Sequence, residues 1–211
     1  MTGSLDQLFL ELEQGILPPV DFGVTYLPSF SPREDVVIAT TGHVFIAVDA
    51  TAEWLDAHVP LDDPGAAFNP PFLRDLELHL GRRVNNIDLM TYAPRRDGGP
   101  DLALKPIEDQ SHPRVRRALR YRDDVTVYGC DGGVLVIGRG IGDRWEVAVE
   151  VDPEARGRGL GRALATAARH LVPDDRGIWA QVAAGNAASL RAFLAAGYSP
   201  MGQEALLVAH R

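Results

Sequence analysis

The sequence predicts a protein of the α/β class, and three observations along the chain lead to this prediction. Apolar runs at residues 36–39 and 43–48 flank a short Gly-containing turn, which is typical of a hairpin. Three later apolar runs, separated by short turns, indicate an antiparallel meander. A strand, an amphipathic helix and a second strand then follow one another between residues 145 and 182.

The N-terminal part begins with a short amphipathic helix. Residues 4–7 have the spacing of a capping box, and apolar residues at i, i+3, i+4 and i+7 continue towards Gly15. The further elements predicted in this part are helices at 52–58 and 72–80 and a strand at 86–92. Gly81 is expected to end the helix at 72–80 by adopting the left-handed conformation.

A segment rich in Pro, Gly and Asp, residues 94–113, divides the chain and predicts a linker or a mobile loop. We therefore expect an N-terminal α/β region over residues 1–110 and a second region over residues 111–211. The N-terminal region is interpreted as the substrate side of a functional site, as the first part of the same fold as the second region, or as a domain of its own. The Pro-rich stretch 60–71 and residues 94–113 are candidate substrate-side loops, with a plain connecting role as the alternative.

The composition limits the classes of partner. The chain has 211 residues, 45% hydrophobic and 24% charged, with a net charge of −8. This charge disfavours nucleic acid and suits a cationic amine. Cys130 is the single cysteine, so no disulfide framework is expected. The histidines lack the spacing of metal ligands. Neither a signal sequence nor an apolar run of roughly 20 residues is seen. We expect a cytoplasmic protein with no metal and no membrane partner, and a homodimer is left open.

The second region carries the remaining elements. An Arg-rich helix near residues 114–122 has either a solvated basic face or a contact with an anionic ligand. The other predicted elements are strands at 125–128, 133–138 and 145–151, a helix at 160–171, a strand at 177–182, a helix at 187–196 and a strand at 204–209.

The turn Arg156–Gly161, of sequence Arg-Gly-Arg-Gly-Leu-Gly, lies between a strand and a helix. Such a turn presents backbone N–H groups at the positive end of the helix dipole, so it predicts an anion site. Close packing of the glycines is the alternative explanation. The spacing fits neither the dinucleotide fingerprint nor a P-loop.

Residues 151–161 resemble the coenzyme-binding motif of the GNAT superfamily of N-acyltransferases, with Arg156, Gly159 and Gly161 filling its core. Residues 186–198 resemble the Asn, helix, Gly-aromatic block of the same family. The resemblance implies a mixed central sheet, splayed open at the strand 145–151 and flanked by helices.

The resemblance also implies that acetyl-CoA is the co-substrate and that its acetyl group passes directly to a primary amine of a small molecule or peptide. In this family the pantetheine arm pairs with strand backbone, and the Val149 N–H is the implied oxyanion donor. The implied cofactor-binding residues are Val149, Val151, Arg156, Gly157, Arg158, Gly159, Leu160, Gly161, Asn186 and Phe193.

The catalytic groups depart from the family pattern. Phe193 stands where the family often has an acidic Tyr, although a thiolate with a pKa of about 8.5 leaves without strong help. The resemblance places Trp145 and Val147 at the cleft-facing base positions, and neither can accept a proton. Glu146 and Glu150 are then the candidate bases, with ion-paired structural roles as the alternative.

Two tyrosines are considered as general acids. Tyr128 is a further candidate for this role, and Tyr198 is expected to be a core residue.

The missing acid and base leave open a second function, a CoA-binding module of the same fold without catalysis. A different phosphate ligand on the same turn is the third hypothesis.

Overall fold

A computed structural model describes residues 3–59, 63, 65–108 and 111–209. The chain separates into two compact units, Met1–Leu89 with Met201–Arg211 and Met90–Pro200. This division does not coincide with the expected regions 1–110 and 111–211, because the last strand pairs with a strand of the first unit. Parts of the two candidate substrate-side loops lie outside the described residues, namely residues 60–62, 64, 109 and 110.

The sequence predicted most of the helices and strands. The helices are α1 (Leu5–Glu13), α2 (Ala52–His58), α3 (Pro70–Leu80), α4 (Pro113–Tyr121), α5 (Leu160–Leu171) and α6 (Ala187–Ala195). The strands are β1 (Gly23–Leu27), β2 (Glu34–Thr40), β3 (His43–Ala47), β4 (Arg82–Ala93), β5 (Lys105–Pro106), β6 (Asp123–Cys130), β7 (Gly133–Arg139), β8 (Trp145–Val151), β9 (Ile178–Ala183) and β10 (Ser199–Ala209). Strands β1 and β5 were not predicted from the sequence.

In the first unit the strands lie in the order β1-β3-β2-β10, followed by the first part of β4. The predicted hairpin is confirmed, with Thr40 opposite His43. Helices α2 and α3 pack their apolar residues against these strands. Ser4 is the N-cap of α1 but makes no capping bond through its side chain, so the capping box is not formed. Gly81 ends α3 in the left-handed conformation, as predicted.

In the second unit the end of β4 is followed by β9-β8-β7-β6-β5. The meander is confirmed, because β6, β7 and β8 pair antiparallel, whereas β8 and β9 run parallel. Helices α5 and α6 cover one face of these strands, and α4 covers the other with Val115 and Ala118. The fold class is therefore α/β with mixed strand directions, flanked by helices. Among the described residues, no helix has the length and apolarity needed to cross a membrane.

Candidate functional site

Strands β8 and β9 separate soon after they meet. Strand β8 pairs with β7 along its whole length, from Trp145 opposite Arg139 to Val151 opposite Gly133. With β9, by contrast, the described residues make a single pair, Glu146 with Trp179. A wedge-shaped gap therefore opens between β8 and β9 towards their C-terminal ends, as the resemblance implied.

The backbone of Val149 faces this gap. The Asp152 N–H bonds the Gly132 carbonyl at 2.9 Å. Because bonded and non-bonded pairs alternate along an antiparallel ladder, Glu150 then directs its N–H and C=O at β7, and Val149 and Val151 direct theirs at the gap. The Val151 carbonyl accepts a bond from Arg156 Nε at 3.1 Å. Val149 thus presents a donor and an acceptor to any extended chain that enters.

The glycine turn lies at the end of β8. Gly157 and Gly159 have φ angles of 74° and 84°, in the left-handed region that favours glycine. A Cβ built on either residue meets no heavy atom within 4 Å apart from chain neighbours. Close packing therefore does not explain these glycines, and the alternative based on packing is wrong for both. A side-chain-sized group over either glycine therefore meets open space.

Helix α5 directs its N-terminal amides at this space. Its first bond runs from the Ala163 N–H to the Gly159 carbonyl, at 3.0 Å. The amides of Leu160, Gly161 and Arg162 lie ahead of that bond, and Gly159 has no side chain to cap them. The exposed side chains of Arg156, Arg158 and Arg162 add positive charge to the dipole of the helix. This end of the gap has the chemistry of a polyanion site.

Asn186 is the N-cap of α6, Phe193 lies within the helix, and the two differ in exposure. Asn186 is exposed, and its Oδ1 accepts from the Ser189 N–H at 3.1 Å, so it caps the helix. Phe193 is 3% exposed and packs edge-on against Tyr198, with ring centroids 4.9 Å apart. The burial of Phe193 supports a packing role and gives no support to its assignment as a cofactor-binding residue.

Tyr198 is a core residue, as predicted. Its hydroxyl donates to the Ala165 carbonyl at 3.1 Å, and burial raises the pKa of the phenol above its usual range. Cys130 is also unsuited to chemistry, because burial raises the pKa of its thiol. Neither side chain supplies a reactive proton donor or nucleophile near neutral pH.

Glu146 is an ion-paired buried carboxylate. Its Oε2 lies 2.7 Å from Arg122 Nε, and its Oε1 lies 2.9 Å from Arg144 Nε. Burial alone would raise the pKa of Glu146, but the charges and hydrogen bonds of Arg122 and Arg144 outweigh it and hold that pKa below the ordinary value. A carboxylate with lowered basicity and an 8% exposed side chain is a poor general base.

Gly140 makes room for this carboxylate. A Cβ at position 140 would overlap the carboxylate atoms of Glu146. We expect Gly140→Ala to lower the free energy of unfolding by about 1–3 kcal/mol, because the buried ion pairs have to shift. Urea denaturation measures this loss. Gly185→Ala is the control, because a Cβ there meets no heavy atom within 4 Å. Equal stability of the two variants would contradict the prediction.

Glu150 is more accessible than Glu146. Its side chain is 43% exposed, and Oε2 lies 3.0 Å from Arg114 Nε at the start of α4. Both candidate bases are therefore ion-paired, but Glu150 keeps a solvent-facing part. The other arginines of α4 at positions 116, 117 and 120 are exposed, so most of that helix's charge lies on a solvated face.

Trp145 and Val147 do not face a cleft, and this expectation is wrong. The alternation along β8 is as predicted, but these side chains are 6% and 3% exposed and pack beneath α5 and α6. The opposite face of β8 carries Glu146, Ala148 and Glu150 and lies under α4. The sequence analysis also missed Arg144 as a partner of Glu146, although the spacing i, i+2 places both on one strand face.

Within the described ranges, no group of three or more His, Cys, Asp or Glu side chains could hold a metal ion.

A model of the acetyltransferase (GNAT) family matches residues 97–198. Solved structures similar to this chain include a putative GNAT acetyltransferase from Novosphingobium aromaticivorans, 20% identical over 62% of this chain and 69% of that protein, with a TM-score of 0.44. A GNAT acetyltransferase from Colwellia psychrerythraea is 10% identical over 80% and 76%, with a TM-score of 0.45.

A GCN5-related N-acetyltransferase from Kribbella flavida is 15% identical over 67% of this chain and 65% of that protein, with a TM-score of 0.41. No curated protein matches the sequence. The family match spans the meander, the glycine turn and the block from Asn186 to Tyr198. Residues 97–198 are therefore similar to the acetyltransferase domain of the GNAT family.

Proposed function

We propose that this protein transfers an acetyl group from acetyl-CoA to a primary amine of a small molecule or peptide. The observation that carries the proposal is the gap between β8 and β9, which has the backbone N–H and C=O of Val149 directed at it from one wall and the open turn Arg156–Gly161 at its end. An extended arm with a pyrophosphate at one end needs this arrangement of strand backbone and helix N-terminus.

The residues around the gap have different roles in this proposal. Val149 pairs with the pantetheine arm through its backbone and offers its N–H to the developing oxyanion. The amides of Leu160, Gly161 and Arg162 and the side chains of Arg156 and Arg158 bind the pyrophosphate. Asn186 holds the start of α6 through its capping bond and supports the far side of the gap.

We propose that Glu150 is the carboxylate that contacts the amine substrate. It lies on the face of β8 under α4, and its exposed part can attract or deprotonate an ammonium group. Glu146 is excluded from this role by its burial between two guanidinium groups. A net charge of −8 favours approach of a cationic acceptor.

Calorimetric titration with acetyl-CoA, beside ATP and NADPH, tests the cofactor. We expect selective binding of acetyl-CoA, because the turn fits neither nucleotide motif. A folded protein that binds none of the three, or that binds ATP or NADPH as well, would overturn the proposal. A panel of amines, followed by release of free thiol, then identifies the acceptor.

Substitution Glu150→Gln tests the carboxylate. We expect kcat/KM for the amine to fall about tenfold to a thousandfold, while the Kd for acetyl-CoA stays unchanged, because the proposed role concerns the acceptor alone. Steady-state kinetics with the best amine measures kcat/KM, and calorimetry measures the Kd for acetyl-CoA. An exposed carboxylate elsewhere in the same unit, changed as Glu154→Gln, is the control. Unchanged kcat/KM in Glu150→Gln would remove Glu150 from the site.

A CoA-binding module without catalysis is the second candidate function. Both candidate bases are paired with arginines, and the position of the family's acidic Tyr is a buried Phe193. This function predicts acetyl-CoA binding without thiol release for any amine. Thiol release with a single amine of the panel would exclude it.

A further inference from the structure

Gln181 carries a buried hydrogen-bond donor without a partner. It lies on β9, and among the described residues its Nε2 makes no hydrogen bond although the atom is buried. An unsatisfied buried donor costs free energy, so native structures rarely keep one without a function. The side chain is therefore a candidate for contact with a ligand.

The position of Gln181 follows from the strand register. Strands β8 and β9 are parallel and pair at Glu146 and Trp179. Two residues further along each strand are Ala148 and Gln181, which lie at the first level of the gap, just beyond the last pair. Side chains alternate along a strand, so Gln181 shares the face of Trp179, over which Arg144 stacks at 5.5 Å.

Arg122 lies next to the oxygen end of the Gln181 amide group. Its Nη2 donates to Gln181 Oε1 at 3.5 Å, and its Nε is held by Glu146 at 2.7 Å. Arginine has donors alone, so it selects the oxygen end of the amide and leaves Nε2 as the free end. The ion pairs of Glu146 thus hold an N–H donor at the closed end of the gap.

We propose that Gln181 donates its Nε2–H to the carbonyl oxygen of the acyl group of the bound thioester. The inference rests on the proposed function, because it requires a CoA thioester in the gap. An amide N–H recognises a carbonyl oxygen, and the closed end of the gap is the end opposite the pyrophosphate turn. Arg122 is then a positioning residue that acts through Gln181.

Substitution Gln181→Leu tests the donor by calorimetry with two ligands. We expect the Kd for acetyl-CoA to rise about two- to tenfold, which is the weight of one amide–carbonyl bond, and the Kd for CoA to stay unchanged. CoA has the same pantetheine and phosphates but no acyl carbonyl. Gln203→Leu, at an exposed strand position in the first unit, is the matched control.

A second variant distinguishes the loss of the hydrogen-bond donor from a change in packing. Gln181→Glu keeps an oxygen acceptor for Arg122 and replaces the amide donor by an acceptor. We expect the same selective loss of acetyl-CoA binding, with a melting temperature of the free protein close to that of the wild type. Selective loss in both variants supports the inference.

Two results would overturn the inference that Gln181 contacts the acyl carbonyl. An equal loss for CoA and acetyl-CoA places the contact at the part that the two ligands share, and no loss for either ligand removes Gln181 from the site. Both results leave the proposed function intact, because the wild-type protein still binds acetyl-CoA. Failure of the wild type to bind either ligand overturns the proposed function, and the inference with it.

Discussion

Substitution Gly159→Glu is expected to abolish acetyl-CoA binding, with a rise in Kd of at least about a hundredfold. The side chain would project into the open space over the turn, where the structure offers N-terminal amides and arginines to an anion. A carboxylate there repels a pyrophosphate, and juxtaposed like charges cost several kcal/mol. Calorimetric titration with acetyl-CoA measures the loss.

The left-handed backbone of Gly159 requires a matched control. Any residue with a Cβ at φ 84° adds strain of about 1–2 kcal/mol, whatever its charge. Gly98 has φ 79° and equally open surroundings in the same unit, away from the turn. We expect Gly98→Glu to show a similar loss of stability and unchanged binding.

A neutral variant separates charge from volume. Gly159→Gln has nearly the same shape as Gly159→Glu without the carboxylate, so the difference between their Kd values reports the charge at the site. We expect Gly159→Gln to bind at least about tenfold tighter than Gly159→Glu. Equal binding of acetyl-CoA by the wild type and by Gly159→Glu would refute the assignment of the pyrophosphate site to the glycine turn.

The glycine turn could be predicted from the sequence because few backbones accept closely spaced glycines between a strand and a helix. The left-handed φ angles of Gly157 and Gly159 are the physical counterpart of that pattern. The meander and α5 could be predicted because their apolar residues follow periods of 2 and 3.6 along long segments. Strand β1 was missed because it has only five residues, too few for the alternation of Val24 and Tyr26 to stand out from a connecting segment.

The faces of β8 could not be assigned to the correct sides from the sequence. Alternation separates Trp145 and Val147 from Glu146 and Glu150, but it does not say which face α5 and α6 cover. The two carboxylates also look alike in sequence, and their difference comes from Arg122 and Arg144, which the fold brings to one of them alone. The pair with Arg122 joins residues 24 positions apart and leaves no local pattern, whereas the pair with Arg144 has the i, i+2 spacing of one strand face.

Substitution Glu146→Gln is expected to lower the free energy of unfolding by about 3–5 kcal/mol, the cost of removing one partner from a buried ion pair. The change removes the carboxylate that faces both Arg122 and the fully buried Arg144, at the position where β8 and β9 meet. Urea denaturation at pH 7 measures it. Glu150→Gln, on the same face, is the control and should cost about 0–1 kcal/mol, because its pair is partly exposed.

The pH dependence gives this prediction a second test. The pKa of Glu146 is lowered in the folded protein from an ordinary value of 4.5, against the effect of burial, by Arg122 and Arg144. The folded state therefore binds the proton less readily than the unfolded state, and the stabilisation is present above the unfolded pKa and is lost as the pH falls through the folded pKa. The stability difference between wild type and Glu146→Gln should stay constant from neutral pH down to about pH 5 and shrink below it. A difference that grows towards low pH would mean that Glu146 is protonated in the folded protein, and the ion-paired role would be wrong.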